Sequence, residues 1–406
     1  MDTWSDNSST VLLIDSHGLS HYTSYLALGL SKFRNIILYV YSEEDYNTVV
    51  ASQQRAAITF NPFQRKVSAK KLKSSCRLER LLKPFRKMKY DIIHIRVLLE
   101  ALTKMNYDIV HIQGHQPIFF LFIPLLRLKR KRIYWTVHDV NDPRPSSDNI
   151  VGKLGIIYVR ALTQPSILLR YVDGIIALSK SQEKQLLSRG VYQNRIIAIP
   201  HFDYTYLFNV PSHKDGLHLT YKNYVLQFGK ITQYKGIDLL IDAAKMAKRR
   251  IGSEEQFNIL IAGTGNASIY RNLLNEEDQE YIHIYNNWVS NSEIPNLFRN
   301  AKFITLPYHK GSQTGIVPLA YTFSKPVIAS GISSIAENVE HNKTGFIFEA
   351  GNAEQFADYI VELITNNNKC MELGKNAYRK LIQEMSLEKC CNAINDFYMI
   401  KNDTPN

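Results

Sequence analysis

Lys230 and Lys235 stand five positions apart in GKITQYKG, after the apolar run YVLQFG and before GIDLLIDAAKMAKRR, whose apolar spacing is helical. Two ammonium groups at a helix N-terminus make an anion site, because the unpaired backbone N–H groups there add to the same positive field. A pyrophosphate departing from a reacting carbon needs such compensation. Two solvated surface lysines would produce the same letters, so the pair has to be read with its neighbours.

Three further groups stand just after apolar runs. AGTGNA places Gly263 and Gly265 where a tight turn and close approach to a ligand are expected. The segment lacks G-x-G-x-x-G spacing and follows no first strand, which disfavours a dehydrogenase cofactor. His138 and Asp139 follow RIYWTV in YWTVHDVNDPRP, at the end of a strand where either side chain could meet a substrate, although a structural histidine is the commoner case. His115 holds a comparable place in HIQGHQP, while His111 falls on the strand itself and is expected to be packed. No strand ends in D-x-D, and H-E-x-x-H, a Cys/His cluster and G-x-S-x-G are all absent. Neither metal catalysis nor an α/β hydrolase is supported.

The longest unusual stretch surrounds HKGSQTGIVPLAYTFSKPVIASGISSIAENVE. From Ile294 through Ala336 there is no Asp or Glu, yet Gly, Ser and Thr recur between short apolar runs. The backbone amides of Gln313–Ile316 and the side chains of Ser312, Gln313 and Thr314 could bind sugar hydroxyls or phosphate, and a missing negative field suits an anionic ligand.

These residues need a scaffold that gathers strand ends. VLLID, NIILYV, DIVHI, RIYWTV and GIIAL in the first half read as buried strands, as do YVLQFG, FNILIAG, YIHIY, KFITLP, PVIAS and TGFIF in the second. Helical stretches alternate with them; SHYTSYLALGLSKF, opening on a Ser N-cap, is the first. The alternation predicts two doubly wound α/β domains with parallel sheets, whose ligands bind beyond the carboxyl ends of the strands. A cleft between two such domains is the expected site. HFDYTYLFNVPSHKDGLHLTYKN loses the periodicity, which sets domains at 1–205 and 206–385 and leaves 386–406 as a closing helix. KMKYDIIHI and KMNYDIVHI echo each other, but one repeat makes no solenoid.

The chain's 406 residues carry a formal charge of +12, unevenly. Through Pro200 there are 29 Lys and Arg against 15 Asp and Glu, and beyond it 20 against 22. The peak is Gln64–Tyr90, where Glu79 is the only acid among eleven basic residues. This run fits an anionic lipid surface or nucleic acid, or simply a solvated helix; it lacks the interleaved aromatics that stack on bases, so nucleic acid is the least expected. IFFLFIPLL is too short to span a bilayer but is followed at once by RLKRKR, which suits either a membrane surface or a buried element. No signal-peptide pattern opens the sequence, and the four cysteines lack zinc or redox spacing. A cytoplasmic protein, peripheral at the inner face of the membrane, is the expectation.

Taken in order, TVHD, GKITQYKG, AGTGN and SKPVIASGISSIAENVEHNKTGFIFEAGNAEQFADYI resemble the GT-B glycosyltransferases, specifically the retaining family-4 group, from Val11 to about Tyr398. The closing YRKLIQEMSLEKCCNAINDFY is similar to the helix that crosses back to the first domain in that family. The resemblance implies two Rossmann-like domains facing a cleft. It also implies a nucleoside-diphosphate sugar as donor, no catalytic metal or other cofactor, and a front-face displacement aided by the leaving phosphate oxygen. His138, Lys230 and Lys235 would be the catalytic residues, the lysines on the diphosphate and the histidine near the reacting carbon. Gly18, in DSHGLS, would approach the phosphates; Gly229, Gly263, Gly265, Ser312, Gln313, Thr314, Gly315 and Glu337 would line the donor, and Asp139 and His115 the acceptor side.

The sequence departs from the family at one point. Where many members carry two glutamates eight positions apart, this chain has Gly311 and Leu319, and GSQTG resembles a variant found in surface-polysaccharide enzymes. With this resemblance, the basic half suggests an acceptor that is a lipid-linked saccharide or otherwise membrane-associated, reached from an anionic membrane through 64–90. The missing glutamates keep open a non-catalytic GT-B-like subunit that binds a nucleotide sugar or a partner transferase. An epimerase or phosphorylase of the same fold lacks its carboxylates or cofactor lysine here.

Overall fold

Parallel strands covered on both faces are apolar throughout rather than alternating, and this is how the eleven runs read above behave. In the computed structural model each is a strand, with ends displaced by no more than two residues. The structure describes residues 9–15, 20–39, 58–60, 99–114, 122–138, 171–209, 222–251, 255–311 and 314–400. The basic run 64–90, and with it one copy of the internal echo, lies outside them.

The chain forms two compact units. One comprises Met1–Ile176, Leu187–Ile197 and Ile394–Asn406, the other Ala177–Leu186 and Ala198–Ala393. Seven strands make the first sheet: β1 (Thr10–Ile14), β2 (Asn35–Tyr39), β3 (Ile58–Phe60), β4 (Ile109–Gln113), β5 (Arg132–Val137), β6 (Gly174–Ala177) and β7 (Ile196–Ala198), in the order β3-β2-β1-β4-β5-β6-β7. The second holds β8 (Tyr224–Phe228), β9 (Ile259–Ala262), β10 (Ile282–Tyr285), β11 (Ala301–Leu306), β12 (Val327–Ser330) and β13 (Gly345–Phe348), in the order β10-β9-β8-β11-β12-β13. Both orders reverse direction beside their first strand, and that reversal is where open α/β sheets bind ligands. The switch points therefore fall after β1 and β4, and after β8 and β11.

Helices cover the second sheet with aromatic and aliphatic side chains. Phe348 stacks on Phe356 and Phe346 on Tyr359, each at 4.5 Å between centroids. The helix Ile237–Ile251 buries Leu240, Ala243, Ala244 and Ala247, with Asp238 in its first turn and Lys248, Arg249 and Arg250 in its last, as the helix dipole favours. The last helix, Leu387–Met399, begins in the second unit and ends in the first. There Tyr398 is fully buried and packs edge-on against Tyr134 at 4.7 Å. Among the described residues no helix is long and apolar enough to cross a membrane.

Candidate functional site

Lys235 lies in the short turn Gln233–Lys235 that links β8 to the helix Ile237–Ile251. Gly236 ends that turn with φ 65°, and its carbonyl accepts the amide of Leu240 to start the helix. A Cβ at Gly236 would sit 1.7 Å from the Pro307 carbonyl oxygen, so only glycine lets the turn press against the end of β11. This close approach brings Lys235 to Tyr308. The buried ammonium donates to the Tyr308 hydroxyl and lies 3.9 Å from the centroid of that ring and 5.4 Å from that of Tyr234. Burial drives the Tyr308 phenol well above its ordinary range, and a hydrogen bond with Thr314 partly opposes the rise. Tyr308 thus stays a neutral hydroxyl that joins Lys235 to the carboxylate-free loop. Lys230, after β8, is exposed.

The glycines of AGTGNA allow a close approach between backbones. Gly263 has φ 150°, and a Cβ there would lie 2.0 Å from the Gly229 carbonyl oxygen. Gly265 bridges to Ile231, and Asn286 clamps its backbone from the other side, accepting its amide at 2.9 Å and donating to its carbonyl at 3.1 Å. These glycines let two loops run backbone to backbone at the strand ends; the contact they make room for is another loop.

The 309–340 stretch opens on a turn and a short helix, Ile316–Thr322. Thr314 accepts the Ile316 amide at 3.2 Å, while Gly315 faces the Tyr204 hydroxyl, which would stand 2.6 Å from a Cβ. Leu319, at one of the missing glutamate positions, is buried, and Gly311 packs near Ile335. Glu337 has a definite task in the second unit: its carboxylate accepts the amides of Lys180 at 2.5 Å and Ser181 at 3.1 Å, opening the helix Lys180–Ser188. Any donor hydroxyl reaching Glu337 shares it with these two amides.

In the first unit His138 follows β5, half-buried, with its ring edge-on to Tyr22 at 5.1 Å. Its Nε2 is 3.5 Å from the Gln113 side-chain oxygen. His111 is wholly buried, as expected of a strand residue, and burial pushes its pKa down to about 3, leaving it neutral. The sequence reading missed Asp15, buried at the end of β1 and accepting the Thr23 hydroxyl at 2.9 Å, although a carboxylate closing an apolar run was a visible signal. It also missed Gln113 and Tyr308. Gly18, His115, Asp139, Ser312 and Gln313 lie outside the described residues. Among the described residues no three His, Cys, Asp or Glu side chains are grouped to hold a metal ion.

Two parallel α/β sheets of this strand order, with a lysine-bearing turn and paired loops at one switch point, define the class: a GT-B glycosyltransferase fold. Residues 211–380 match the family described as Glycosyl transferases group 1, and residues 95–202 match Glycosyltransferase Family 4. These two matches together with the fold support a family-4-like GT-B glycosyltransferase. An uncharacterised glycosyltransferase of Methanocaldococcus jannaschii is 26% identical over 229 residues, 56% of this chain and 59% of that protein. A poly(ribitol-phosphate) alpha-N-acetylglucosaminyltransferase of Staphylococcus aureus is 23% identical over 229 residues, 55% of this chain and 44% of that one. The chain thus spans about half the length of these curated relatives. The crystal structure of Anabaena HepE in complex with UDP and glucose superposes with a TM-score of 0.64 at 16% identity, covering 96% of this chain and 99% of that one.

Proposed function

We propose that this glycosyltransferase moves a sugar from a nucleoside diphosphate to an acceptor with retention of configuration and without a catalytic metal. The observation that carries the reading is Lys235, a buried cation fixed by Tyr308 at the switch point of the second sheet. An ammonium held there by the Tyr308 hydroxyl is placed to meet a diphosphate, and Lys230 adds a second, solvated charge on the same loop. HepE, similar in fold, was crystallised with UDP and glucose, which favours a UDP-sugar among the possible donors. As the donor bond breaks, negative charge gathers on the leaving phosphate, which the lysines stabilise and which takes the acceptor's proton. His138, by the family resemblance, is assigned to the donor sugar. The acceptor we assign is a lipid-linked saccharide of surface-polysaccharide assembly, met at the inner face of an anionic membrane; binding to anionic vesicles that survives neutralisation of the 64–90 lysines and arginines would refute that part.

The donor reading is tested by thermal shift with UDP, GDP and ADP and their common sugars, with EDTA present. A nucleotide at 100 times its Kd adds about 2.7 kcal/mol, roughly 5–10 °C for a unit of this size. One nucleotide should raise Tm and lose its effect in Lys235→Met. No response to any of them would overturn the donor site and leave the partner-subunit reading, which the glycine and leucine at 311 and 319 favour.

A further inference from the structure

A buried polar chain runs through the first unit behind His138. Gln113, at the end of β4 and wholly buried, touches two imidazoles with the two ends of one amide. Its nitrogen lies 2.9 Å from His111 Nε2, and its oxygen 3.5 Å from His138 Nε2. His111 is held from both sides: Nε2 also meets the Thr136 hydroxyl at 2.7 Å, and Nδ1 meets the Tyr398 hydroxyl at 2.5 Å. Gln113, His111, Thr136 and Tyr398 are all fully buried.

An amide has a donor end and an acceptor end, so it transmits orientation. His111 is neutral, with one protonated nitrogen. With its lone pair on Nε2, it receives both the Gln113 amide proton and the Thr136 hydroxyl, and its Nδ1–H donates to Tyr398. Gln113 is thereby turned with its oxygen toward His138, where only an N–H can answer it. We propose that Gln113 is a positioning residue for His138, fixing it as the Nε2–H tautomer with the lone pair on Nδ1, and that His111, anchored by Thr136 and by Tyr398 of the last helix, fixes Gln113 in turn. Tyr22, edge-on to the imidazole, limits rotation about the same bond. This chain of bonds decides which nitrogen of His138 carries the proton. The consequence for catalysis rests on the function proposed above, whereas the tautomer does not.

The test uses the full chain labelled with 15N-histidine, without donor, in long-range 1H–15N correlation spectra at pH 7.5. His138 should show a protonated Nε2 and an unprotonated Nδ1. In Gln113→Met, which keeps the length and removes the amide, the two tautomers should mix, while Gln113→Glu, which keeps an acceptor oxygen, should hold the Nε2–H form. Nδ1–H in the wild type, or an unchanged tautomer in Gln113→Met, would overturn the proposal; the wild-type spectrum decides even if a variant fails to fold. In transfer assays Gln113→Met should lower kcat roughly 10- to 100-fold, the scale of a misplaced catalytic group, with donor KM nearly unchanged. A rise in KM at constant kcat would instead make Gln113 a binding residue and refute the positioning role. If no transfer is found but the tautomer follows Gln113, the proposed function fails and the positioning of His138 stands.

Discussion

The contact between Lys235 and Tyr308 makes a prediction in which stability and binding move in opposite orders. Tyr308→Phe keeps the ring under the ammonium and deletes the hydroxyl that accepts from it. A hydrogen bond to a charged group is worth about 1.5–3 kcal/mol, and a buried charged donor that loses its acceptor forfeits at least that. Thr314 loses one of its partners in the same step and keeps the Ile316 amide. Tyr308→Phe should therefore destabilise the second unit by about 2–3 kcal/mol, a fall in Tm of roughly 4–12 °C. Lys235→Met removes the ammonium and its desolvation together and refills the space with an apolar chain of similar length. Replacing a buried charge in this way is often close to neutral, so its cost should stay below about 1 kcal/mol. Nucleotide binding should reverse the order: Lys235→Met abolishes the thermal response to a nucleoside diphosphate, and Tyr308→Phe only weakens it. Urea unfolding followed by circular dichroism, with and without nucleotide, measures both. If Lys235→Met costs more stability than Tyr308→Phe, or if the phenylalanine variant alone loses the nucleotide response, the phenol does not hold the ammonium and the account of the site is wrong.

The two remaining predictions concern backbone and pH. Gly263→Ala places a Cβ 2.0 Å from the Gly229 carbonyl and should destabilise by more than about 4 kcal/mol, while Gly190→Ala, also at positive φ but with open space around it, should cost about 1–2 kcal/mol in the same unfolding experiment; equal costs would show that the loops do not run in contact. His111 has a folded pKa of about 3 against an ordinary 6.5, so between those values the unfolded chain binds a proton that the folded chain refuses. Its contribution to stability is complete above pH 6.5 and declines as pH falls toward 3, at up to ~1.4 kcal/mol per pH unit; a His111 resonance that titrates near pH 6.5 would contradict this.

What the sequence made legible, and what it hid, divides by the range of the interaction. The strands were legible because burial on both faces writes a local signal, four to six apolar residues in a row. Ile58–Phe60 and Ile196–Ala198 were not, since a three-residue edge strand has too few positions to show a pattern. Lys230 and Lys235 could be picked out because a lysine after a strand and before a helix is suggestive by itself. Tyr308 could not, because it meets Lys235 across 73 residues and its neighbours give no reason to prefer it to Tyr204 or Tyr234. Gln113 and His138 are 25 residues apart, and Glu337 reaches Lys180 across 157. The first two pairings are produced by the order of strands in a sheet, β8 beside β11 and β4 beside β5. The glycines of AGTGNA were noticed for a sound reason, close approach, but the sequence does not say what approaches.

The same geometry explains how a loop without carboxylates can still serve an anionic ligand. A glutamate beside Lys235 would hold the ammonium firmly but cancel its field, and a diphosphate would have to compete with it. A phenol whose pKa burial has raised stays neutral, so it holds the ammonium without bringing a negative charge beside it. Glu337, the first acid after the carboxylate-free run, is turned onto the amides of Lys180 and Ser181 and steadies a helix N-terminus. On the function proposed above, hydroxyl, ring and amide partners take over the orienting that the family resemblance assigns to carboxylates, and the lysines at the end of β8 meet the substrate. The function proposed above then predicts that the diphosphate supplies most of the donor's binding energy and that the sugar, facing hydroxyls and backbone instead of a carboxylate, is selected by shape.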